Sequence, residues 1–146
     1  MTNRALACWI LCVALLVGPS KEASATGEFV LLVNQANPVT SISHQALKKA
    51  ATGGTKQWDA GAVVQLGVIP SPDAPETQFL AELIDLAPRE LLSRVQNQVF
   101  KGEMRRPVPL RSSMDCAALA GSNPGAICVC SAGTAVPASA HVLTIN

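Results

Sequence analysis

The stretch Phe29-Val30-Leu31-Leu32-Val33 constrains this chain most. Five consecutive apolar residues, several of them β-branched, leave no polar face. A strand of this kind is stable only where layers cover it on both sides. A polar loop with an Asn37-Pro38 turn follows, and then Thr40-Ser41-Ile42-Ser43 at the mouth of an amphipathic helix. Ser43 is a good N-cap, and Ile42 before it is placed to pack on Leu47 as a hydrophobic staple. Gly53-Gly54 closes this first helix after Lys48 and Lys49, which suit its negative end.

The same alternation continues. Ala62 to Ile69 predicts a second buried strand, preceded by a loop whose Trp58 folds back on the core. Pro70, Pro72 and Pro75 enforce an extended connection. Asp73 and Glu76 have capping-box spacing before a helix carrying Phe79, Leu80, Leu83 and Ile84. Pro88 opens a third helix with Leu91, Leu92, Val95 and Val99 as its apolar stripe, closed by Gly102. A short helix from Ser112 to Leu119, stopped by Gly121, and two strands, Ala126–Cys130 and Val142–Ile145, complete the chain. Apolar strands interleaved with amphipathic helices predict a three-layer α/β domain. Its sheet is mostly parallel, with helices on both faces.

The first 25 residues read differently. Arg4 precedes an apolar run from Ala5 to Val17, Gly18-Pro19 breaks it, and Ala23-Ser24-Ala25 has signal-peptidase spacing. The run falls short of the ~20 residues that span a bilayer. Residues 1–25 are therefore expected to be a cleaved signal peptide and residues 26–146 a single periplasmic or secreted domain, not membrane-spanning after cleavage. Without Arg4, Lys21 and Glu22 the remaining acidic and basic residues balance. A neutral domain with no tyrosine has neither the field nor the stacking surfaces of a nucleic-acid binder. Cys116, Cys128 and Cys130 remain. Cys128 and Cys130 lie on one strand face and cannot readily bond each other, so either Cys116 pairs with one of them or all three are small buried apolar residues.

Several motifs together resemble a known family. They are Val33-Asn34-Gln35-Ala36-Asn37-Pro38 before the Ser-capped helix, Trp58 before the second strand, Val99-Phe100-Lys101-Gly102, and Asn123-Pro124-Gly125-Ala126-Ile127 before a short strand. The chain resembles small proteins related to phosphate ABC transporter substrate-binding proteins, from about Glu28 to Ile145. The resemblance implies a type-II periplasmic-binding-protein-like fold, of which this length supplies one lobe. Cys128-Val129-Cys130 stands where such proteins carry Gly-Tyr.

The residues that offer ligand chemistry are Thr40, Ser41 and Ser43. Hydroxyls and unpaired backbone N–H groups at a helix start hydrogen-bond phosphate or sulfate. An ordinary N-cap explains Ser43 equally well, and the loop lacks the glycines that wrap a phosphate. Lys101, Arg105, Arg106 and Arg111 form the main charge cluster, and His44 and His141 are the only histidines. No nucleophile elbow, phosphate loop or zinc-protease motif occurs, so no enzymatic activity and no cofactor are expected. The sequence thus predicts a solute-binding-protein-like domain for a small oxyanion, phosphate or sulfate, in transport or sensing. The alternative is an interaction module with a vestigial site, docking on a membrane or periplasmic protein.

Overall fold

A computed structural model describes residues 28–146; the expected signal peptide lies outside the described residues. Ten elements follow one another: β1 (Phe29–Asn34), β2 (Ser41–Ile42), α1 (His44–Ala51), β3 (Gln65–Val68), α2 (Pro75–Leu83), α3 (Pro88–Phe100), β4 (Val108–Pro109), α4 (Ser113–Ser122), β5 (Ala126–Ser131) and β6 (Ala140–Ile145). The six strands form one sheet in the order β2-β6-β1-β5-β3-β4. β2 runs parallel to β6, and β3 runs parallel to both β5 and β4. β1 is antiparallel to both of its neighbours, pairing Leu31 with Val129 of β5 and with Leu143 of β6. Five strands therefore run one way and β1 the other, giving the mostly parallel sheet that the alternating pattern predicts.

β1 sits near the middle because its residues are apolar on both faces. Leu31 and Val33 point into a core shared with α1, α2 and α3, where Leu47, Leu80, Ile84 and Leu91 are all buried. Leu32 points the other way, into a smaller core under α4 with Cys116, Ala120, Cys128 and Cys130. Helices thus cover both faces. Full burial of one leucine stabilises by roughly 1.5–3 kcal/mol, so β1 links the two cores energetically as well as sterically.

Several local expectations are corrected. The second strand is shorter than Ala62–Ile69. Val63 instead bridges to Gln57 ahead of β3, folding the Trp58 loop onto the sheet end. The Asp73–Glu76 capping box does not form. Pro75 at the first helical turn fixes Ala74 as N-cap, and the Asp73 N–H bonds to Ser71 Oγ at 3.3 Å. Gly121 does not stop α4, which runs on to Ser122. Its role is close approach. A Cβ there would meet Ser139 Oγ at 2.8 Å and Pro137 Cγ at 3.1 Å, so glycine lets the connection between β5 and β6 cross this face tightly. Ser112 is N-cap of α4 without a side-chain bond, and Asp115 in the first turn instead ties down the incoming chain by accepting from the Arg111 N–H at 2.9 Å.

The sheet's β4 edge is closed chemically. Leu110 N–H donates to the Val68 carbonyl at 2.9 Å, and Val108 and Pro109 pair with Gly67 and Val68. N–H groups alternate in direction along a strand, so positions 107 and 109 face outward, and both are proline. That edge offers no outward N–H to a further strand.

Candidate functional site

In sheets of this kind ligands are held beyond the carboxyl ends of the strands, where helix N-termini gather. β2 delivers α1 to that end, β3 delivers α2 and β4 delivers α4. Ser43 is the N-cap of α1, with Oγ accepting from Ala46 N–H at 3.1 Å. An accepting hydroxyl keeps its own hydrogen, so this cap leaves Ser43 free to donate to a ligand. Ser43→Ala is expected to cost about 1 kcal/mol of stability, read as a lowered denaturant midpoint at constant slope.

The three hydroxyl residues are placed unequally. Ser41 and Ser43 are exposed and border one open groove of about 410 Å³, together with Ala46 of α1 and with Gln57, Trp58 and Asp59 of the loop between α1 and β3. Thr40 is exposed but does not border it, and its carbonyl accepts from Thr144 N–H at 3.0 Å in the β2–β6 pairing. Among the described residues the one ionisable side chain lining the groove is Asp59, an acid. Trp58 forms its wall, buried and anchored by Nε1 donating to the Gly125 carbonyl at 2.9 Å.

The arginines do not converge on this groove. β2 and β4 occupy opposite edges of the sheet, five strand spacings or about 24 Å apart. Arg106 flanks β4 and borders an apolar groove with Leu92, Val99 and Phe100. Arg111 is committed to Asp115, with Nε to Oδ2 at 3.1 Å. The Arg111 hydrogen bonds hold the Asp115 carboxyl below the usual carboxylate range. Arg105 lines an adjoining depression with Lys56, Glu103 and Gly53, which shares Ala50 and Thr55 with the groove but does not bring Arg105 into it. His44 is exposed with Nδ1 2.7 Å from the Leu83 carbonyl at the end of α2, and His141 holds the Asn-Pro loop through Val39 O at 2.8 Å.

Sequence reasoning missed the point where adjacent strands send their helices to opposite faces. β3 leads to α2 on one face and β4 to α4 on the other. Between them Ser113 Oγ donates to Glu76 Oε1 at 3.3 Å and accepts from Ser131 N–H at 2.9 Å, and Ser131 Oγ lies 3.0 Å from Thr134 Oγ1. The space left there is about 10 Å³. Glu76 fills the crevice with a carboxylate of the protein itself. No local pattern marks this, because strand order is not written in the spacing of residues.

The cysteines divide into one bond and one thiol. Cys116 of α4 and Cys128 of β5 form a disulfide, which decides between the two readings of the sequence. Cys130 is free and buried, and burial pushes its thiol above its ordinary value.

No protein-family model matches the chain, and no curated protein matches it either. A comparison with solved structures finds an ABC-type phosphate transport receptor from Vibrio cholerae. It is similar at a TM-score of 0.54 and 16% identity, over 81% of this chain and 46% of the receptor. The fold is that of a periplasmic-binding-protein-like lobe. The chain spans less than half the length of the receptor, so the lobe corresponds to part of that structure. At 16% identity the likeness concerns architecture alone. Among the described residues no helix of the lobe is long and apolar enough to cross a membrane.

Proposed function

We propose that this lobe is an exported, non-catalytic solute-binding-protein-like domain that takes a small oxyanion, phosphate or sulfate, at the start of α1. The observation that carries this reading is the shared groove of Ser41 and Ser43 at the α1 N-terminus, in a fold similar to a phosphate transport receptor. Two hydroxyl donors, the unpaired N–H groups of the first turn and the helix dipole all favour an anion there. Asp59 in the same groove opposes it, and an open lobe leaves the anion half hydrated, so binding is expected to be weak and strongly salt-dependent. Export is supported by the Cys116–Cys128 disulfide, a bond that persists in oxidising compartments.

Thermal unfolding in phosphate, sulfate and chloride at matched ionic strength tests the reading. An oxyanion at a hundred times its dissociation constant adds about 2.7 kcal/mol. The shift should shrink in Ser41→Ala and Ser43→Ala. Equal midpoints in all three salts would remove the ligand.

A second reading, an interaction module docking on a membrane or periplasmic protein, has its own observation. Phe100 at the end of α3 is 92% exposed beside the apolar groove of Leu92, Val99 and Pro109. Phe100→Ser should abolish capture of such a partner without changing the response to phosphate.

A further inference from the structure

Two helices carry the same polar pattern. Along α1, Gln45, Lys48, Lys49 and Thr52 fall at positions i, i+3, i+4 and i+7. α3 repeats the spacing with Arg94, Asn97, Gln98 and Lys101. Such spacing places each set on a single helix face. The two faces border one groove of about 480 Å³ between the helices, on a different side of α1 from the Ser41–Ser43 groove.

Neither stripe contains an acid, and every member has a donor to offer except Thr52, whose hydroxyl donates to the Lys48 carbonyl at 2.6 Å. Arg94 shares its charge with Glu90 of its own helix at 3.2 Å. Lys48, Lys49 and Lys101 form no ion pair among the described residues. The helix dipole accounts for lysines near the ends of α1 and α3. It does not account for two helices turning acid-free faces toward the same groove, in a chain whose formal net charge is only +1.

We infer that this groove binds a soluble anion carrying two or more phosphoryl groups. The spread of the charges sets the class. Arg94 and Lys101 are seven residues apart, about 10 Å along the helix, which is too far for one orthophosphate to bridge. The amides of Asn97 and Gln98 lie between them, and the two lysines of α1 face them across the groove. A linear polyphosphate offers acceptor oxygens along that whole length. Among the described residues no aromatic side chain lines the groove, so none of them offers a nucleobase a ring to stack on.

The test uses sodium tripolyphosphate as probe, at low salt, followed by amide chemical shifts. Saturable shifts are expected over residues 45–52 and 94–101. Orthophosphate should bind there at least about tenfold more weakly, since it meets fewer of the charged donors. Lys48→Gln combined with Lys101→Gln should weaken tripolyphosphate at least about tenfold, while lowering the thermal midpoint without ligand by no more than the few degrees that two lost helix-end charges cost. Ser41→Ala with Ser43→Ala should leave tripolyphosphate affinity intact, which separates this site from the α1 N-terminus. The inference is overturned by equal affinity in the lysine variant, by equal affinity for orthophosphate, or by binding only to anionic phospholipid vesicles and not to tripolyphosphate.

Discussion

Gly125→Ala is expected to destabilise the protein by about 3 kcal/mol or more. A Cβ on Gly125 would collide with the backbone carbonyl oxygen of Val63, a group with no rotamer to move away. Shifting residue 125 instead breaks a set of bonds that converge on it. Its carbonyl accepts from Trp58 Nε1 at 2.9 Å and from Gln65 N–H at 2.8 Å, and its own N–H donates to Asn123 Oδ1 at 2.9 Å. Urea unfolding compares the variant with Gly133→Ala, whose added Cβ meets nothing within 4 Å. Gly133→Ala should stay within about 0.5 kcal/mol of the parent. Similar midpoints for the two variants would show that Gly125 is not the close-packed junction described above.

Removing the disulfide with Cys116→Ala and Cys128→Ala together should cost about 3 kcal/mol. In a domain of this size that lowers the melting temperature by roughly 10 °C. The bond closes a short loop, a separation of 12 residues, and ties α4 to β5 through the core that also holds Leu32. Both sulfurs are buried, so a mild reductant should act only as fast as the protein opens. Thiol counting on residues 26–146, which leave out Cys8 and Cys12, gives an independent check: the native domain should show no reactive thiol, and the unfolded, unreduced domain one, from Cys130. Three thiols in the unfolded, unreduced domain would mean that the bond is absent.

Much of the fold was legible because its signals are local. The apolar run of β1, the Ser43 cap, Pro88 at the start of α3, and Gly102, left-handed at φ 76°, closing that helix all act within a few residues of themselves. What the sequence did not reveal depends on residues far apart in the chain. The reversed direction of β1 comes from where β5 and β6 lie. The switch point closed by Glu76 and Ser113 requires two connections to diverge to opposite faces. Gly121 resembles a helix stop until the crossing of Pro137 and Ser139 is seen. Of the hydroxyl trio, Ser41 and Ser43 share a groove because both end at the α1 entrance, whereas Thr40 is turned to the β6 pairing. The Lys and Gln stripes of α1 and α3 were present as periodicity. Their meaning depends on the two helices facing each other.

The position of β1 also governs when the protein can fold. It is the first strand of the described chain, yet both of its hydrogen-bonded edges are supplied by the last two strands, some hundred residues later. As the chain emerges from the ribosome, Phe29–Val33 has no neighbour to pair with, and α1, α2 and α3 have no completed sheet to cover. Closing so long a loop before any pairing is gained makes folding slow and late. Pairing on both edges of β1, and with it the completed sheet, is therefore expected only once β6 is free to join.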